Sequence, residues 1–86
     1  MNSNKIYSIL KSVLSDITGK EKGDIFADDN LRARLRFTNA GLFNLAVDLN
    51  RAFKKENMII KPQLHGDETT AVQTVRQVRV LISGRF

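Results

Sequence analysis

Few side chains in this chain could carry chemistry. There is one histidine, His65, and no cysteine, which excludes disulfides and thiolate metal sites. His65 stands in a polar stretch with Asp67 and Glu68 nearby. A metal site would need further ligands, and acid–base work would need a buried partner, so a solvent-exposed loop histidine is expected. Asp28-Asp29 and Asp67-Glu68 do not follow the calcium-loop spacing and read as turn and cap residues. No glycine-rich phosphate loop, HExxH or GxSxG occurs. Without a catalytic constellation, no enzymatic activity is expected.

What remains is charge. The chain carries 14 basic and 9 acidic residues, a net of +5. Residues 16–29 hold Asp16, Glu21, Asp24, Asp28 and Asp29 against Lys20 and Lys22, a net of −3. Residues 31–55 hold Arg32, Arg34, Arg36, Arg51, Lys54 and Lys55 against Asp48, a net of +5. That basic middle attracts anions: an acidic protein surface, nucleic acid or phosphate. Arginine's planar fork grips carboxylate or phosphate with two hydrogen bonds, so three arginines within five residues form a candidate anion-binding edge. The arginines are few, however, and no aromatic stacking platform is evident, which favours an acidic protein over nucleic acid.

These residues need elements to position them. Ile6, Ile9, Leu10, Val13, Leu14 and Ile17 follow the i, i+3, i+4, i+7 rule and predict a helix from about Asn4 to Thr18. Ser3 or Asn4 can cap its start, and Gly19 stands where a left-handed C-cap residue belongs. Residues 19–37 read as a long connection pinned inward by Ile25, Phe26, Leu31, Leu35 and Phe37, with a short helical turn over Leu31–Leu35. A second helix is predicted from about Asn39 to Lys55. Leu42, Leu45, Ala46, Leu49 and Phe53 form its stripe, and Phe43 and Val47 widen it. Thr38 or Asn39 is its natural N-cap, while Lys54 and Lys55 complement the dipole at its C-terminal end. The phenylalanines at 26, 37, 43 and 53 read as core, and Tyr7 as a boundary residue. Gln63–Thr70, with Gly66 inside it, reads as a short irregular helix. Thr70–Ser83 has Ala71, Val75, Val78 and Ile82 at helical spacing but is rich in β-branched residues. Helix or strand both fit that segment; its Gln and Arg residues favour helix.

Helix, apolar-studded loop, helix, short irregular piece and helix is the order of an acyl carrier protein, and the residues support more than the order. Ile17-Thr18-Gly19-Lys20-Glu21-Lys22-Gly23-Asp24-Ile25 resembles the family's end of helix I, with its turn and following apolar anchor. Asp29-Asn30-Leu31 resembles the Asp-x-x-Leu step of the loop. Leu35-Arg36-Phe37-Thr38-Asn39-Ala40 falls on the Leu-Gly-x-Asp-Ser-Leu attachment motif. Leu42 to Phe53 is similar to helix II, and Thr74-Val75 with Ile82 to the last helix. The likeness spans nearly all 86 residues and implies an all-α bundle of three main helices plus a short extra one, a single domain over residues 1–86.

The resemblance fails at the chemistry. The family's serine takes 4'-phosphopantetheine and holds acyl groups as thioesters. Here Asn39 occupies that position, after Thr38 instead of aspartate. An amide is no such nucleophile, and Asn39 reads as a helix cap. Thr38 carries a hydroxyl but is one residue off and β-branched, so a carrier modified at Thr38 is the alternative. Ser3, Ser8, Ser12, Ser15 and Ser83 lie in the terminal helices. The family's loop and helix II are acidic; here that region is basic, which inverts partner choice. The expectation is a carrier-like adaptor without cofactor or metal. It would bind an acidic partner through Arg32, Arg34, Arg36, Arg51, Lys54 and Lys55, with nucleic acid as the other candidate partner. Its apolar runs are too short to span a membrane, and the N-terminal residues do not form a signal peptide. A cytoplasmic setting is the simpler expectation. Oligomeric state is left open.

Overall fold

A computed structural model describes residues 3–86. Its elements are α1 (Ser3–Thr18), a 3-10 turn over Lys22–Asp24, α2 (Asn39–Lys55), α3 (Gly66–Ala71) and α4 (Val75–Ser83). The architecture is all-α, and among the described residues no strand forms. In α1 the expected stripe faces the core through Ile6, Leu10, Val13 and Leu14, with Ile9 half-buried beside them. Ile17 departs from expectation and is 44% exposed. It sits in the last turn of the helix, at the rim of the core beside Leu35 and Phe37. Gly19 ends the helix with φ of +76°, a conformation that glycine alone adopts without a Cβ penalty. The expected Ser3 cap lies outside the described side chains.

The long connection is a structured element of the core. Ile25, Leu31, Leu35 and Phe37 are buried as expected, whereas Phe26 is 54% exposed. Asn30 builds the turn that follows. Its side-chain oxygen accepts the N–H groups of Arg32 and Ala33 at 2.9 and 2.8 Å, and its carbonyl accepts those of Arg34 and Leu35. This Asx-type turn satisfies the backbone where no regular helix exists. The loop also pairs with the α3–α4 connection. Leu31 N–H donates to Gln73 O at 2.8 Å, Val75 N–H to Asp29 O at 3.1 Å, and Arg76 N–H to Ala27 O at 2.8 Å. Asp29 is 8% exposed; its carboxylate accepts from Phe26 N–H at 2.9 Å and from Arg34 Nε at 3.0 Å.

The second helix begins and ends where its stripe predicts. Thr38 is the N-cap, its hydroxyl oxygen accepting from Gly41 N–H at 3.0 Å, and Asn39 is the first helical residue rather than the cap. Leu42, Leu45, Ala46, Leu49 and Phe53 are buried, but Phe43 and Val47 are each 51% exposed. They do not widen the buried stripe. One residue along a helix is a rotation of about 100°, which carries both toward solvent. Below α2, Met58 and Ile60 alternate into the core, and Leu64 joins them after an exposed stretch over residues 61–63. The Asn50 amide brackets Leu64, accepting its N–H and donating to its carbonyl, each at 3.0 Å.

The C-terminal segment is neither one helix nor a strand. Thr70 and Ala71 belong to α3, and Ala71 is exposed. The chain then extends through Val72–Thr74, whose trace of β character is a single bridge between Asn30 and Thr74. At Thr74 a capping box restarts the helix: Thr74 accepts from Gln77 N–H, and Gln77 Oε1 accepts from Thr74 N–H. Val75, Val78 and Ile82 are buried as expected. Thr69 ties α3 to α2 by donating its buried hydroxyl to Leu42 O at 2.6 Å. Arg85 closes the other end, where it pairs with Glu68 and donates to Pro62 O at 3.0 Å; the Phe86 ring lies 5.6 Å from Phe53.

Candidate functional site

Three elements meet at the N-terminal end of α2. Arg32 reaches across this corner, donating one guanidinium N–H to the Asn39 side-chain oxygen and another to Thr70 O at 3.1 Å. The loop, α2 and α3 are thus held by one fork, whose planar geometry suits two acceptors at once. Asn39 accepts from Arg32, and Thr38 spends its hydroxyl acceptor on the helix cap. Thr38 and Asn39 are therefore both engaged in holding the start of α2. Arg34 is likewise committed, to the buried carboxylate of Asp29.

The four remaining cations are Arg36, Arg51, Lys54 and Lys55. All are exposed, and among the described residues no ion pair or side-chain hydrogen bond engages them. Arg36 adopts a left-handed backbone, φ 65°, just before α2. Such a conformation is uncommon for a residue with a Cβ and costs on the order of 1 kcal/mol. The sequence-predicted set thus divides into two arginines that brace the loop and four cations free to meet a partner.

Sequence reasoning missed the apolar part of this surface. Ala40, Phe43, Asn44, Val47, Arg51 and Lys54 follow one another along the outward side of α2, all exposed. The helix therefore presents an apolar patch toward its start and a cationic one toward its end. Phe43 is anchored from below: a Cβ on buried Gly66 would lie 2.2–2.4 Å from its ring atoms, so the ring rests directly on that backbone. The angular offset of positions 43 and 47 from the stripe was the available signal.

A second feature lies between α1 and α2. A groove of about 530 Å³ has Ile9, Val13, Ile17 and Ala52 along it. Asp16, Asp48 and Glu56 share its edges with Arg51 and Lys55. Ile17 also borders a smaller depression of about 230 Å³ at Leu35, Arg36 and Phe37.

His65 is exposed at the start of α3, where its backbone N–H donates to Glu68 at 3.0 Å. Among the described residues, no three His, Cys, Asp or Glu side chains cluster to hold a metal ion, and no helix is long and apolar enough to cross a membrane. No family model, curated protein or solved structure matches the chain.

Proposed function

We propose that this chain is an acyl-carrier-like domain without the carrier chemistry, a non-enzymatic adaptor that binds an acidic protein partner through α2 and the loop before it. The observation that carries the reading is the set of four exposed cations, Arg36, Arg51, Lys54 and Lys55, unpaired among the described residues, beside the exposed apolar pair Phe43 and Val47. Unpaired cations steer an acidic surface into place, and a partly apolar centre supplies contact area once it arrives. The amide of Asn39, which is no nucleophile, supports the absence of a prosthetic group at that residue. Incubation with coenzyme A and a permissive phosphopantetheinyl transferase leaves the intact mass unchanged on this reading.

A pull-down with and without nuclease tests the binding reading. A stoichiometric acidic protein survives nuclease treatment, and its binding weakens as salt rises, because exposed charges are screened over about 8 Å at physiological ionic strength. Replacing Arg36→Glu and Lys54→Glu together abolishes it with the helical spectrum intact. Material that disappears with nuclease, together with a shift of generic DNA or RNA in a gel, transfers the surface to nucleic acid. Binding unchanged in the double variant refutes a role for these cations.

A further inference from the structure

The groove between α1 and α2 differs in charge from the rest of the molecule. On a chain of net +5, its edges hold three carboxylates, Asp16, Asp48 and Glu56, and two cations, Arg51 and Lys55. Among the described residues, none of the five takes part in an ion pair. Between them lie Ile9, Val13 and Ile17, of which Ile17 is 44% exposed. Neither nucleic acid nor an acidic protein suits a trough edged by three carboxylates. The occupant that fits must itself present both signs of charge around an apolar ridge, and this same face of a second copy does so.

We infer that this groove is the interface of a weak two-fold homodimer, in which α1 of each copy lies in the α1–α2 groove of the other. A two-fold axis makes the arrangement self-complementary: what one copy offers, it also receives. Exposed Ile17, with half-buried Ile9 beside it, packs into the facing groove over buried Val13, and Asp16 meets Arg51 and Lys55 of the other copy. The same contacts recur in reverse. A standard interface takes about 800 Å² from each partner, roughly a sixth of the 5167 Å² surface of this molecule. The dimer engages Arg51 and Lys55, two of the four cations of the partner-binding reading, so the two associations compete at those residues; Arg36 and Lys54, outside this groove, test partner binding separately.

Sedimentation equilibrium of the full chain, from about 10 µM to about 1 mM, tests it. The wild-type mass rises with concentration from 9.7 kDa toward twice that value. Asp16→Lys alone and Arg51→Glu alone each stay monomeric, because each places like charges across both halves of the interface. An equimolar mixture of the two variants regains the dimer. The new ammonium group of one variant then faces the new carboxylate of the other, and the native pair survives on the opposite side of the axis. Both positions are exposed, and far-UV circular dichroism verifies that both variants fold. Should Arg51→Glu fail to fold, Lys55→Glu takes its place in the mixture. A wild type that remains monomeric throughout, variants that associate like it, or a mixture that stays monomeric overturns the proposal. A mass climbing past twice the monomer indicates open-ended assembly and also overturns it.

Discussion

Gly66→Ala is the sharpest single perturbation of the α2–α3 contact. A methyl group there would stand 2.2 Å from Phe43 Cδ2 and 2.4 Å from Phe43 Cγ. Cγ lies close to the backbone, so rotating the ring tip cannot relieve the overlap. Either the whole side chain leaves its site or α3 moves off α2. Overpacking of this kind costs about 1–3 kcal/mol, partly offset by the helix preference of alanine over glycine, worth about 0.5–1 kcal/mol. Phe43→Ala alone removes a half-exposed ring and costs about 1.5–2.5 kcal/mol, roughly half the loss at a fully buried phenylalanine. In the double variant the clash is gone and the preference remains, so it is no less stable than Phe43→Ala alone. The coupling is therefore at least about 1 kcal/mol, well above the additivity error of distant sites. Urea unfolding followed by far-UV circular dichroism measures all four corners of the cycle. Penalties that simply add would refute the close approach of ring and backbone.

Two further outcomes concern the core and the C-terminal closure. Leu10→Ala and Leu45→Ala each truncate a side chain with no exposed surface, and each lowers unfolding stability by about 2–5 kcal/mol in the same urea experiment. The hydrogen bond from Arg85, followed by that from the His65 backbone, holds the Glu68 carboxyl below the usual glutamate range. A carboxylate lowered on folding stabilises the protein above its unfolded pKa, and that contribution fades as pH falls through the lower folded value. Melts recorded across the acid range therefore show a steeper loss of stability for wild type than for Glu68→Gln, and equal slopes would refute the pairing.

The periodic parts of the fold were legible in the sequence. The α1 stripe and the whole of α2 follow from hydrophobic spacing, and Thr38 and Gly19 punctuate them by ordinary capping chemistry. Burial of most loop anchors followed from the cost of leaving Ile25, Leu31, Leu35 and Phe37 in water. What spacing could not reveal was how far each stripe extends around its helix, hence the exposure of Ile17, Phe43 and Val47. The break at Val72–Thr74 was hidden because Ala71 and Val75 keep helical spacing across it; the Thr74–Gln77 box was the local signal. Net charge correctly marked residues 31–55 as basic, but composition does not say which cations are already engaged. Arg34 pairs with Asp29 within the loop and Arg32 with Asn39 at the start of α2, and Arg32 reaches Thr70 from 38 residues away, contacts that spacing alone does not reveal.

The three backbone hydrogen bonds that join residues 27–31 to 73–76 bear on how fast this chain can fold. Most helical bundles form from local contacts and fold within microseconds to milliseconds. Here the loop closes only when segments more than forty residues apart in sequence find one another, as Leu31 does with Gln73. The entropy of closing that span is lost before Ile25, Leu31 and Val75 can bury each other in return. Capture of the long loop by the start of α4 adds a non-local closure to the folding of this bundle, so changes at Asn30 or Thr74 are expected to slow folding as well as lower stability, which stopped-flow refolding measures.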